Sequence, residues 1–252
     1  ADTTSGGAGA NELLITGSSV DAQYTNVTEV QTLRVFGAGS ATTLAAEAEE
    51  AGILRVNLDN GGNTLNAGAY SAAANLTVLG GDGFDAITTG AGADSVRAGD
   101  GDDTVTTGEG ADFVAARGGD DVVSTGEGDD IVEMGTGDDT ISLGSGNDVV
   151  EVSAVEPGTD EELDFADAIT GGTGDDEILL NNSSDIAAGI NLNIVTGVET
   201  VRVGLDDESV EVTFTGGNVS TLTTVTVDAT AMTAGNPNTT TVTIDAGQSD
   251  SD

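Results

Sequence analysis

The chain has 252 residues, of which 45 are Asp or Glu and only 5 are basic, for a formal net charge of -40. A chain this acidic repels nucleic-acid phosphates and anionic membrane surfaces, so neither is a partner. It has no His and no Cys, and its basic residues (Arg34, Arg55, Arg97, Arg117 and Arg202) include no Lys. A Ser-His-Asp triad, a zinc-protease motif, a thiolate metal site, a disulfide and a Schiff-base lysine are all excluded.

Paired carboxylates could still serve a glycosidase, but the 5 Phe, 2 Tyr and absent Trp leave few platforms for a sugar ring. The glycines lack the Lys of a phosphate loop. The chain therefore reads as non-enzymatic. No apolar run reaches transmembrane length. The start carries neither an initiator Met nor a signal peptide, which reads as a mature product or an excised fragment.

Residues 1–79 open with a degenerate glycine-rich unit, GGAGANELL at 6–14, and continue with strand-forming segments such as LRVFG and LRVNL. TLAAEAEEAG predicts one short helix, with Thr43 as N-cap and Gly52 just past its end.

From Gly80 to Glu151 the sequence divides into eight nine-residue units without a gap: GGDGFDAIT, TGAGADSVR, AGDGDDTVT, TGEGADFVA, ARGGDDVVS, TGEGDDIVE, MGTGDDTIS and LGSGNDVVE. Position six is always Asp: Asp85, Asp94, Asp103, Asp112, Asp121, Asp130, Asp139 and Asp148. Position eight is always Val or Ile, and position four is always Gly. Glycines at positions two and four allow positive φ and a tight turn with exposed carbonyls. Beside them, the position-six carboxylate makes a hard-oxygen environment of the kind calcium takes. Position eight is the inward residue of a short strand. Two units make a coil, so residues 18 apart stack at a strand spacing of ~4.8 Å. Asp85, Asp103, Asp121 and Asp139 then line one edge, and Asp94, Asp112, Asp130 and Asp148 the other. An ion between successive coils would neutralise two facing carboxylates.

Residues 152–179 interrupt the pattern. VSAVEPGTDE reads as a surface loop about one residue longer than a unit. The register then returns as ELDFADAIT, degenerate but carrying Asp167, and as GGTGDDEIL, a full match carrying Asp176. Residues 180–252 read as a partial second copy of the 1–79 coils. GGAGANELL mirrors GGTGDDEIL, VTEVQTLRV mirrors VTGVETVRV, and two further matches keep the same order, with offsets of 165 to 169 residues.

The nonapeptide pattern resembles the RTX, or haemolysin-type, calcium-binding family, whose repeat is G-G-x-G-x-D-x-U-x. That resemblance implies an all-β fold, a right-handed parallel β-helix or β-roll solenoid with irregular flanking coils, holding several Ca2+ ions. Carried over residue by residue, it makes ligands of Asp85, Asp94, Asp103, Asp112, Asp121, Asp130, Asp139, Asp148 and Asp176. It adds the turn glycines: Gly81, Gly83, Gly90, Gly92, Gly99, Gly101, Gly108, Gly110, Gly119, Gly126, Gly128, Gly135, Gly137, Gly144, Gly146, Gly172 and Gly174. Three departures stand out. Position one is rarely Gly, Arg117 replaces the position-two Gly, and Phe84 and Ala93 replace the usual polar residue at position five.

The resemblance further implies a secreted protein that folds on meeting extracellular calcium, at the cell surface. The leading functional reading is a structural module of a bacterial surface-layer, matrix or adhesin protein. It would self-associate into an array or filament, with cell-surface polysaccharide as a further candidate partner. The alternative is a calcium-binding carrier domain of a larger secreted enzyme or toxin. Position seven faces outward, and Ser95, Phe113, Ile131 and Val149 form an apolar stripe there that would suit an interface. The outward hydroxyls of Thr88, Thr106, Ser124 and Ser142 on the other face would also suit ice binding.

Overall fold

The computed structural model describes residues 11–18, 29–71, 74–152, 167–180, 190–191, 195–204, 211–216, 224–228 and 241–246. Among these residues every strand pairing is parallel and almost no helix is present. The chain winds as a β-solenoid of about eight turns.

Its first sheet has 11 strands: Glu12–Thr16, Thr32–Phe36, Arg55–Asn57, Thr77–Asp82, Ser95–Asp100, Phe113–Gly118, Ile131–Glu133, Val149–Val152, Glu177–Leu180, Thr200–Gly204 and Thr224–Asp228. The second has eight: Ala41–Thr43, Thr64–Asn66, Ala86–Thr88, Thr104–Glu109, Val122–Glu127, Thr140–Ser145, Ala168–Thr173 and Val195–Thr196. From Thr32 to Leu180 the described strands alternate between the two sheets, one strand per half-turn. A third sheet joins Ile190–Asn191, Glu211–Gly216 and Thr241–Ala246.

Sequence periodicity dictates the register. Val96 pairs with Val114, Val114 with Val132, and Val132 with Val150, each 18 residues on. Across the core Ile87, Val105, Val123 and Ile141 do the same. All eight are at most 1% exposed. β-branched side chains suit this pleated, buried setting, and small aliphatics keep the two sheets close.

Outside the nonapeptides the coils are longer but stay in the same sheets. Leu33 pairs with Val56, and Val56 with Val78, at spacings of 23 and 22 residues. The extra length carries the one helix among the described residues, Ala46–Ala51. Gly52 caps its C-terminus in the left-handed conformation, as expected. The N-cap is Ala45 rather than Thr43. Thr43 is already committed to a strand, paired with Asn66, and so is not free to cap. The predicted 152–161 loop lies outside the described residues beyond Val152. The coil containing it is 28 residues long, Val150 to Ile178, and the registers on either side remain intact.

Two ion pairs occupy matching places at the two ends. Arg34 Nε lies 3.1 Å from Glu12 Oε1, and Arg202 Nε lies 2.9 Å from Glu177 Oε1. In both, the Glu strand pairs with the Arg strand two positions out of direct register. Partly exposed as they are, these pairs contribute little stability.

The outward stripe is in register, Phe113 beside Ile131 beside Val149. It is narrower than the sequence implies. Only Ile131 is exposed, at 38%, while the Arg97 guanidinium sits 5.6 Å from the Phe113 ring centroid.

Candidate metal sites

Each nonapeptide turn carries its position-six Asp at the junction between the sheets, and the Asp side chains point inward. Asp85, Asp94, Asp103, Asp112, Asp121, Asp130, Asp139, Asp148 and Asp176 are all at most 3% exposed. They stack in two rows. In each, one carboxylate oxygen is tied to the coil before it. Asp103 Oδ1 accepts the Asp85 N–H at 2.7 Å, Asp121 that of Asp103 at 2.7 Å, and Asp139 that of Asp121 at 2.9 Å. In the other row Asp112 Oδ1 accepts from Asp94 at 2.7 Å, Asp130 from Asp112 at 2.8 Å, and Asp148 from Asp130 at 2.8 Å.

A second ladder runs the opposite way on the outside of the turn. Asp102 Oδ1 accepts the Asp120 N–H, and Asp120 Oδ1 that of Asp138, both at 3.0 Å. Asp129 Oδ1 accepts from Asn147 at 2.8 Å. Position five thus reaches forward to the next coil while position six reaches back. Where position five is Phe84, the ring is 68% exposed and contributes no such link.

The glycines carry the turn. Of those singled out in the sequence, all but Gly90 and Gly135 have positive φ. At those two the backbone N–H lies against the Asp94 and Asp139 carboxylates and favours their charge. Arg117 holds the glycine conformation at φ 89, and its carbonyl accepts the Thr136 N–H at 2.6 Å. The side chain is exposed and the turn is kept.

The second oxygen of each position-six Asp decides the chemistry. Oδ2 of Asp85, Asp94, Asp103, Asp112, Asp121, Asp130, Asp139, Asp148 and Asp176 is buried and has no hydrogen-bond partner. A carboxylate oxygen so placed needs a proton or a cation. Without a cation, burial pushes Asp121 up to about 8, Asp85 and Asp112 to about 7, and Asp103, Asp139 and Asp148 to about 6. Asp94, Asp130 and Asp176 are raised for the same reason.

With no His or Cys in the chain, the charged and carbonyl donors at these sites are oxygens, the choice of a hard cation such as calcium. Among the described residues no three carboxylates converge on one point. An ion there must complete its shell from backbone carbonyls of the glycine turns. The donor set fits calcium.

Residues 79–114, 116–150 and 163–189 match the family model of the RTX calcium-binding nonapeptide repeat, described as four copies. These are RTX repeats. RTX nonapeptides bind calcium ions, several to an array. RTX proteins are typically secreted calcium-binding proteins, and the RTX roll is a structural rather than a catalytic fold. No curated protein and no solved structure matches the chain. No helix among the described residues is long and apolar enough to cross a membrane.

The rows extend beyond the ligands read from the sequence. Asp167 is 0% exposed, and its Oδ1 accepts the Asp139 N–H at 2.8 Å, 28 residues away. The sequence places it in the returning register, but its unit lacks the turn glycines, so the pattern does not count it among the ligands. Asp176 Oδ1 accepts from Asp148 at 3.0 Å, and Glu199 Oε2 in turn accepts from Asp176 at 2.9 Å. Nothing in the nonapeptide pattern marks Glu199. At the other end the rows begin on the Asn63 and Leu76 amides, which donate to Asp85 and Asp94, each at 2.7 Å.

One oxygen of each Asp is held by backbone, so the oxygen each offers an ion is Oδ2. A central Asp still stands between two others, whereas Asp85 has Asn63 above it. Asp121→Ala is therefore expected to raise the calcium midpoint of folding about tenfold more than Asp85→Ala. Equal midpoints by circular dichroism would count against the stacked-row arrangement.

Proposed function

We propose that this chain is a calcium-dependent structural module of a secreted bacterial surface-layer, matrix or adhesin protein. In this reading Asp85, Asp94, Asp103, Asp112, Asp121, Asp130, Asp139, Asp148 and Asp176 hold the ions, together with turn carbonyls. The observation that carries it is the tandem order. The Glu12–Arg34 pair recurs as Glu177–Arg202, each beside a calcium-type unit and each followed by another strand in the same sheet. Repeated long units, stacked end to end in continuous sheets, are the construction of a scaffold. Residues 1–79 and 180–252 are on this reading related coils flanking the roll at 80–151, with 152–179 as a bridging segment. The absence of His, Cys and Lys leaves little for catalysis.

Assembly is expected to follow calcium. Light scattering and electron microscopy on the full chain, with and without calcium, should show ordered association only in its presence. Phe113→Asp with Ile131→Asp and Val149→Asp should abolish it while the inward Val ladder and calcium-induced β-structure persist. A chain that stays monomeric in millimolar calcium would favour a carrier domain of a larger secreted protein.

A further inference from the structure

The two Asp rows have different neighbours inside the core. Position one of each unit points inward just before the turn. Beside the row of Asp94, Asp112 and Asp130 it is Thr89, Thr107 and Thr125, at 2%, 0% and 0% exposure. Beside the row of Asp103, Asp121 and Asp139 it is Ala98, Ala116 and Met134, equally buried. One row is lined by hydroxyls and the other by methyl groups.

The hydroxyls form their own ladder. Thr89 Oγ1 donates to the Thr107 carbonyl at 3.1 Å, Thr107 to the Thr125 carbonyl at 3.0 Å, and Thr125 to the Leu143 carbonyl at 2.7 Å. Each hydroxyl oxygen also lies against the carboxylate of its own unit, Asp94, Asp112 or Asp130. A hydroxyl has one proton and two lone pairs. With the proton on the neighbouring carbonyl, Oδ2 of all three Asp residues is left without a hydrogen bond. The threonine oxygen then stands as a neutral donor beside that carboxylate oxygen. The ladder also ties successive coils together on this side without any metal.

We propose that Thr89, Thr107 and Thr125 divide the calcium sites into two unequal rows, the Asp94–Asp112–Asp130 row filling at lower calcium. The physical basis is preorganisation. On the hydroxyl side the Thr–carbonyl bonds form as the coils close and hold them together without metal, so less of the ordering cost is charged against ion binding. The methyl-lined row has no equivalent link, and its middle turn also carries the positive φ of Arg117.

Equilibrium dialysis of the full chain against graded calcium buffers, with bound calcium measured directly, should give two steps. Thr107→Val should move the lower step to about tenfold higher calcium, the effect of one lost buried hydrogen bond, and leave the upper step in place. Thr107→Ser should restore the lower step. Ala116→Thr should pull the upper step down, and it carries the test alone if Thr107→Val fails to fold at saturating calcium. A single step in the unaltered chain would overturn the proposal. So would Thr107→Val moving both steps equally, the mark of a general packing defect. The inference rests on calcium binding by the roll, and a chain that bound no calcium at all would sink that reading separately.

Discussion

Stripping calcium from the chain at pH 8 is expected to unfold the nonapeptide roll, and acid is expected to bring its β-structure back. Folding must offset about 1–2 kcal/mol of backbone entropy per residue, and the core available to do so is two ladders of Val and Ile. Folding must also bury nine carboxylates whose Oδ2 atoms have no partner. Burial raises them above the ordinary value near 4, to about 8 for Asp121. The folded metal-free roll therefore binds more protons than the unfolded chain, and its stability must fall as pH rises. Below about pH 4 both states are protonated and the penalty vanishes. Between about pH 4 and 8 it grows, and above that range it is complete. Calcium takes the proton's place, and folding and binding become one equilibrium, at the ~0.1–1 mM affinities common to extracellular sites. Circular dichroism in excess chelator at pH 8 and at pH 4 checks this. A chelated chain that keeps its β-spectrum and its melting transition at pH 8 would disprove it.

The second large effect is expected from Gly99→Ala. Gly99 has φ 128, and a Cβ there would collide with the Gly81 carbonyl oxygen of the preceding coil. Neither the turn nor the coil spacing can move without breaking the strand register on both sides. The conformational cost alone is about 1–3 kcal/mol, and the collision adds to it, so the turn should close only at far higher calcium, whereas Arg117, one coil on, keeps its turn at a smaller φ of 89. Gly118→Ala is the matched control. It occupies position three of a turn, has no positive φ, and a Cβ there would meet nothing closer than Thr136 Oγ1 at 3.3 Å. Comparable calcium-induced β-structure in the two variants would show that turn geometry does not limit folding.

Much of this was legible because the fold is periodic. The 18-residue spacing of Val96, Val114, Val132 and Val150 is both a sequence pattern and a strand register. The position-six Asp residues and the turn glycines follow from the same count. What sequence could not supply lies where the period changes or where two half-turns differ. Asp167 reads as back in register, but it sits ten residues later than an uninterrupted coil would place it, in a unit without turn glycines, and nothing in the pattern counts it into the Asp row it joins. Thr43 has the composition of a helix cap but is drawn into a strand by Asn66. Thr89, Thr107 and Thr125 look like ordinary departures from glycine until alternate units are assigned to opposite sheets. Arg117 departs from the position-two Gly, yet it keeps the glycine conformation, with its carbonyl accepting the Thr136 N–H.

The 18-residue coil has a mechanical consequence. Each coil adds only ~4.8 Å along the axis, whereas the same residues drawn out span about 3.3 Å apiece. The four coils of residues 80–151 therefore occupy about 19 Å when wound and roughly 240 Å when pulled straight. Tension applied across the ends would be met first by closely spaced, cation-held layers and then by a reserve of slack more than ten times their height. In such a tether, ambient calcium would set the force at which the slack is released.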